Sequence, residues 1–144
     1  MKYCLSLILL MLAVGCGKPT LQIDGFESYI DQFEKDALAR GRNIKVEDLV
    51  ISFMVRPIPG SNAKCVKNPT QTPTILIDKN WWENHDELDH ISLIYHELGH
   101  CILNRSHDNE LVENNRPKSL MFYGGVEGFY LRDNQREYLN ELFN

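Results

Sequence analysis

His96, Glu97 and His100 stand in this 144-residue chain in the order His-Glu-x-x-His, with His107 seven residues further on. On an α-helix, residues four apart lie about 40° from each other around the axis, so the imidazoles of His96 and His100 can close on one ion. Glu97 falls about 60° beyond His100, beside such an ion rather than on it, where its carboxylate can take a proton from a water that the ion activates. The chemistry open to this trio is hydrolysis at a zinc ion, with a glutamate as general base. The surrounding residues fit a helix: Leu88, Ile91, Tyr95, Leu98 and Ile102 fall within an arc of about 80°. That stripe should face a core and leave the histidines and Glu97 on the other side.

The segments that follow are Cys101-Ile102-Leu103-Asn104-Arg105-Ser106-His107-Asp108 and, further on, Pro117-Lys118-Ser119-Leu120-Met121-Phe122-Tyr123. With them the chain resembles the metzincin superfamily of zinc endopeptidases, whose pattern is H-E-x-x-H-x-x-G-x-x-H with a downstream methionine turn. The resemblance implies His96, His100 and His107 as ligands of one Zn2+ per chain. It also implies Glu97 as the base and Met121 as the residue of the methionine turn beneath the metal. Ser119 to Tyr123 is similar to the S-x-M-x-Y form of astacins and serralysins, which implies Tyr123 as a second catalytic residue that swings onto the oxyanion.

The third histidine comes one residue later than in that family, and Asn104 stands where the family has glycine. Asparagine tolerates the left-handed conformation of a helix cap, and the step from Asn104 to His107 keeps the family's three residues. The extra residue should therefore lengthen the helix, leaving the loop to absorb about 1.5 Å of rise and 100° of rotation. Asp108, Glu110 and Glu113 compete with His107 for the third ligand position.

At the start of the chain Lys2 precedes an apolar run over residues 5–14 and then Gly15-Cys16, the layout of a bacterial export signal. The run is short of the roughly 20 residues that span a bilayer. Ala13-Val14-Gly15-Cys16 resembles the lipobox of bacterial lipoproteins, which implies a signal peptide over residues 1–15 and a lipidated Cys16. A linker to residue 24 and one metallopeptidase-like domain over 25–144 would follow. The implied location is the bacterial cell envelope, lipid-anchored, in the outer membrane or facing the periplasm.

The formal charge is −5, and without residues 1–15 it is 14 − 20 = −6. An acidic chain with no basic cluster argues against nucleic-acid partners and against membrane contact other than through the lipid. The expected partner is a peptide or protein substrate, and the expected state a monomer. Of four cysteines, Cys4 would leave with the signal and Cys16 would be acylated. Cys65 and Cys101 then pair as a disulfide in an oxidising compartment, worth roughly 3 to 4 kcal/mol in the chain-entropy model.

Elsewhere the spacing predicts a helix over residues 26–40, capped by Asp24 and stopped by Gly41. A central strand over 49–56 ends at Pro57 and Pro59, and a loop over 60–73 carries a short strand around Cys65. A clear strand follows over 74–78. In metzincins the strand before the active-site helix is the sheet edge that binds extended substrate, and 74–78 takes that place. Asn84 with Glu87 makes a capping box, Trp81 and Trp82 read as core or staple residues, and His90 reads as exposed. Gly124, Gly125 and Gly128 should supply turns, and a short helix over 133–143 should close the domain.

The expected fold is α+β: a twisted sheet of about three to four strands packed on an N-terminal helix and the zinc-binding helix, with a C-terminal helix. The expected function is a zinc-dependent endopeptidase. The alternative is a non-catalytic, zinc-stabilised envelope lipoprotein or binding module, in which the longer spacing from His100 to His107 closes the site.

Overall fold

In the order of the chain the elements are β1 (Leu21–Gln22), α1 (Glu27–Leu38), β2 (Leu49–Phe53), β3 (Ala63–Asn68), β4 (Gln71–Ile77), α2 (Lys79–Glu83), α3 (Glu87–Cys101) and α4 (Gly128–Leu142). They come from a computed structural model that describes residues 19–144; the export signal and Cys16 lie outside the described residues. The four strands form one sheet in the order β1-β2-β4-β3, so the molecule is α+β. β1, β2 and β4 run parallel, and β3 folds back antiparallel on β4 with Cys65 opposite Ile75. Leu49, Ile51, Ile75 and Ile77 turn one face of the sheet into a buried wall against Phe33, Ile94, Tyr95 and Leu98 of the helices. Among the described residues no helix is long and apolar enough to cross a membrane.

This order corrects the expected edge. The strand before α2 and α3 is β4, which lies between β2 and β3 and has no free side. Hydrophobicity marked 74–78 as a strand, but its neighbours depend on the hairpin that returns from β3. The sheet's edges are β1 and β3; β3 is the strand expected around Cys65, and its residues after Ala63 are half-buried or exposed.

Several element ends also differ from the sequence expectations. α1 begins at Glu27, with Phe26 and not Asp24 in the cap position and with no side-chain cap. β2 stops at Phe53, and Val55 beyond it is 99% exposed, so its apolar character belongs to a loop. α2 was not anticipated; Asp78 caps it by accepting from the Trp81 N–H at 3.0 Å. α3 is capped by Asp86, which accepts from Leu88 and Asp89, while Asn84 ends α2 instead of starting α3. His90 is not exposed: its ring stacks on Trp82 at 3.7 Å and its Nε2–H donates to the Trp82 carbonyl.

α4 begins five residues before the expected start and is kinked at Asn134. Gly128 is its first residue, not a turn. A Cβ there would sit 2.7 Å from the Asp89 backbone nitrogen, and the Gly128 N–H donates to the Asp89 carboxylate. The two helices touch at this point because one of them has no side chain there. Gly125, with φ of 77°, does supply the turn that precedes it.

Candidate metal centre

α3 carries the centre because its second half is enclosed on nearly every side. Ser92 and every residue from Ile94 to Gly99 are buried, polar ones included, since β3 covers one flank and the chain around Met121 another. Met121 packs directly under the helix. A Cβ on Gly99 would lie 2.3 Å from its sulfur, so the glycine inside the motif is what lets the methionine in.

His96 donates its Nδ1–H to the Leu120 carbonyl at 2.7 Å, and His100 donates its Nδ1–H to the Arg105 carbonyl at 2.7 Å. A carbonyl can only accept, so both protons sit on Nδ1 and both lone pairs on Nε2. The Nε2 of His100 lies 3.1 Å from that of His96 and 3.1 Å from that of His107. Three ring nitrogens are thus gathered within 4.8 Å of one another. Ligands of a tetrahedral zinc, each about 2.0 to 2.1 Å from the metal, stand about 3.3 Å apart, so the spacing suits such an ion. Without a cation between them, lone pairs brought this close repel.

Burial pushes the His96 imidazole down to about 4, helped by the neighbouring His100 and His107 and opposed by its bond to Leu120. Burial, with His100 beside it, also lowers His107. Both rings stay neutral near pH 7, as metal ligands must be.

His107 arrives through a widened turn. α3 ends regularly at Cys101, after which Leu103 N–H reaches back to the Leu98 carbonyl and Arg105 N–H to the Gly99 carbonyl. Asn104 between them adopts the left-handed φ of 56°. The extra residue is therefore taken up in the turn and not as further helix. Lys67 of β3 secures that turn, donating to the His100 carbonyl and the Asn104 side chain, both at 2.7 Å. Asp108 accepts from the Glu110 N–H, Glu110 pairs with Lys118, and Glu113 lies exposed in a short 3-10 turn. None of the three acidic competitors joins the histidine group.

Glu97 is 4% exposed, and its Oε2 has no hydrogen-bond partner. Burial pushes its carboxyl up to about 7, with the nearby Cys65 backbone N–H acting in the opposite direction. An unpartnered buried carboxylate oxygen beside three converging nitrogens fits a bound cation and an activated water better than a closed apolar core. Cys65 and Cys101 are bonded to each other, which ties β3 to the end of α3 next to His100. Tyr123 is 71% exposed and its ring meets that of His107 edge to face at 5.1 Å.

These groups open on a cleft of about 860 Å³. β3 forms one wall, α3 the floor, and the chain from Tyr123 to Glu127 the other wall. Trp81, stacked on His85, closes one end, so one of the two tryptophans serves the cleft while Trp82 packs on the core. Sequence reasoning did not find Lys67, the Cys65 N–H, or the Leu120 and Arg105 carbonyls. Three of those four are backbone groups, which leave no mark in a sequence.

Two imidazoles from α3 and one from the loop after it, with a carboxylate at their side, form a group that could hold one metal ion beside a groove along the sheet edge. The chain belongs to the family described as Putative phage metallopeptidase, whose model matches residues 41–141. It is thus a member of a metal-dependent peptidase family, and the matched stretch contains all three histidines and Glu97. No curated protein and no solved structure matches the chain.

Proposed function

We propose that the chain is a zinc endopeptidase in which His96, His100 and His107 hold the ion and Glu97 is the general base. The observation that carries this reading is the convergence of three Nε2 lone pairs next to a buried carboxylate with one oxygen free. When bound, zinc supplies Lewis acidity and brings the pKa of water toward neutrality. Glu97 takes the proton of the attacking water and returns it to the leaving amine nitrogen. Tyr123, unpacked on its outer side, reaches toward the oxyanion with its hydroxyl. Met121 supports the floor under Gly99.

The free edge of β3 supports endopeptidase action, because an extended peptide can lie along it through the middle of the groove. Among the described residues the ligand group has three members, which leaves a coordination position for chemistry. That favours catalysis over the non-catalytic zinc module, whose site a fourth protein ligand would close.

The test is hydrolysis of a peptide library blocked at both termini. Glu97→Gln in the full chain should keep one zinc per molecule and lose about 10²- to 10⁴-fold in turnover. Unchanged turnover in that variant would sink the mechanism, and cleavage of unblocked peptides alone would replace endopeptidase by exopeptidase.

We further propose that the protein works in the bacterial envelope, anchored through a lipid on Cys16. Radiolabelled palmitate fed to a bacterium producing the full chain should enter the wild type and not Cys16→Ala. An unlabelled wild type would remove the anchor.

A further inference from the structure

The two imidazoles on α3 are aimed by backbone carbonyls from two separate segments, Leu120 for His96 and Arg105 for His100. Neither segment belongs to a helix or strand, so something outside them must hold both carbonyls in place. One side chain reaches both. Glu141 of α4 accepts from Arg105 Nη2 through Oε1, and from the Ser119 hydroxyl through Oε2 at 2.6 Å. Arg105 Nη1 also donates to the Glu141 backbone carbonyl at 2.8 Å. Ser119 in turn accepts from the Met121 N–H at 2.9 Å, so the Leu120 peptide is clamped between two residues of this chain of bonds.

We propose that Glu141 is a positioning residue that sets the two zinc-facing imidazoles of α3 together, from outside the cleft. The inference rests on the zinc reading above. Ser119 is fully buried, and the Arg105 and Glu141 side chains are 25% and 22% exposed, so the bonds are largely shielded from water. Charge-assisted bonds in such a setting are strong and directional. Their effect passes through the Nδ1–H bonds, which hold each ring's tautomer and plane and raise the basicity of Nε2. Glu141 lines no part of the groove and touches no substrate.

The experiment measures the zinc dissociation constant of the full chain by competition with a chromogenic chelator, together with the visible absorption of the cobalt-substituted protein. The wild type is compared with Glu141→Ala, Glu141→Gln and Glu137→Gln. Glu137 pairs with Arg116 one turn earlier on α4, so its variant removes an ion pair from the same helix without touching the histidine supports. Glu141→Ala should weaken zinc binding about tenfold, the lower end of what outer-shell partners contribute, and alter the cobalt bands. Glu141→Gln, which keeps the size and removes the charge, should move both readouts the same way, and Glu137→Gln should move neither.

Wild-type affinity and cobalt bands in the folded Glu141 variants would overturn the positioning role and leave the zinc reading standing. So would an equal loss in Glu137→Gln, which would assign the effect to helix stability. A wild type that binds no zinc would overturn both. Should Glu141→Ala fail to fold, Glu141→Gln decides the question by the same two readouts.

Discussion

Gly99 shows how much one missing methyl group can decide. Glycine inside a helix ordinarily costs up to about 1 kcal/mol relative to alanine, so Gly99→Ala should help on propensity alone. Here the added Cβ would stand 2.3 Å from the sulfur of Met121, which is fully buried, so the methionine end must shift within the core. The overpacking term of about 1 to 3 kcal/mol should win. Urea unfolding of Gly99→Ala is expected to show lower stability than wild type together with weaker zinc binding, since Leu120 moves with Met121. A variant as stable as wild type would mean that Met121 is not the support it looks to be.

At the scale of elements, α1 is tied to the approach to β2 through Glu34. Its carboxylate accepts from Lys45 Nζ and from the Val46 N–H at 2.8 Å. Burial raises its pKa, but the bonds from Lys45 and Val46 outweigh burial and leave it below the usual carboxylate range. A folded pKa below the unfolded value means stability that is present above the unfolded value and is lost as pH falls through the folded one. Glu34→Gln should therefore cost about 1 kcal/mol at pH 7, and the gap to wild type should close as pH falls below about 4.5. Thermal unfolding of both proteins at pH 7, 5 and 3.5 checks this; a gap constant with pH would assign the loss to packing.

Across the whole molecule, the Cys65–Cys101 disulfide joins the β3 edge of the sheet to the end of the metal helix, 36 residues apart in sequence. It spans the groove's wall and floor, both of which line the cleft beside Glu97. Replacing both cysteines by serine should cost roughly 2 to 4 kcal/mol. Because the bond ties the sheet edge to the helix that carries Glu97, turnover should fall at temperatures where the double variant remains folded. Denaturant midpoints and peptide hydrolysis measured side by side test this, and full activity in the folded variant would confine the disulfide to stability.

The sequence by itself determined what could be read from spacing along one helix. The order His96, Glu97, His100 and the apolar stripe around Tyr95 and Leu98 follow from a helical period, and Asn104 marks a left-handed turn by its own chemistry. The α+β class was legible for the same reason, since the strongest strands are apolar runs. What lies between segments was not legible: β3 and not β4 is a free edge, Gly128 is a contact and not a turn, and α3 is capped from Asp86. Only the tertiary structure decided that the carbonyls of Leu120 and Arg105 aim the imidazoles and that Glu141, over 40 residues from either histidine, holds both. A backbone carbonyl has no residue-type signature, and an ion pair between distant segments exists only once packing brings them together.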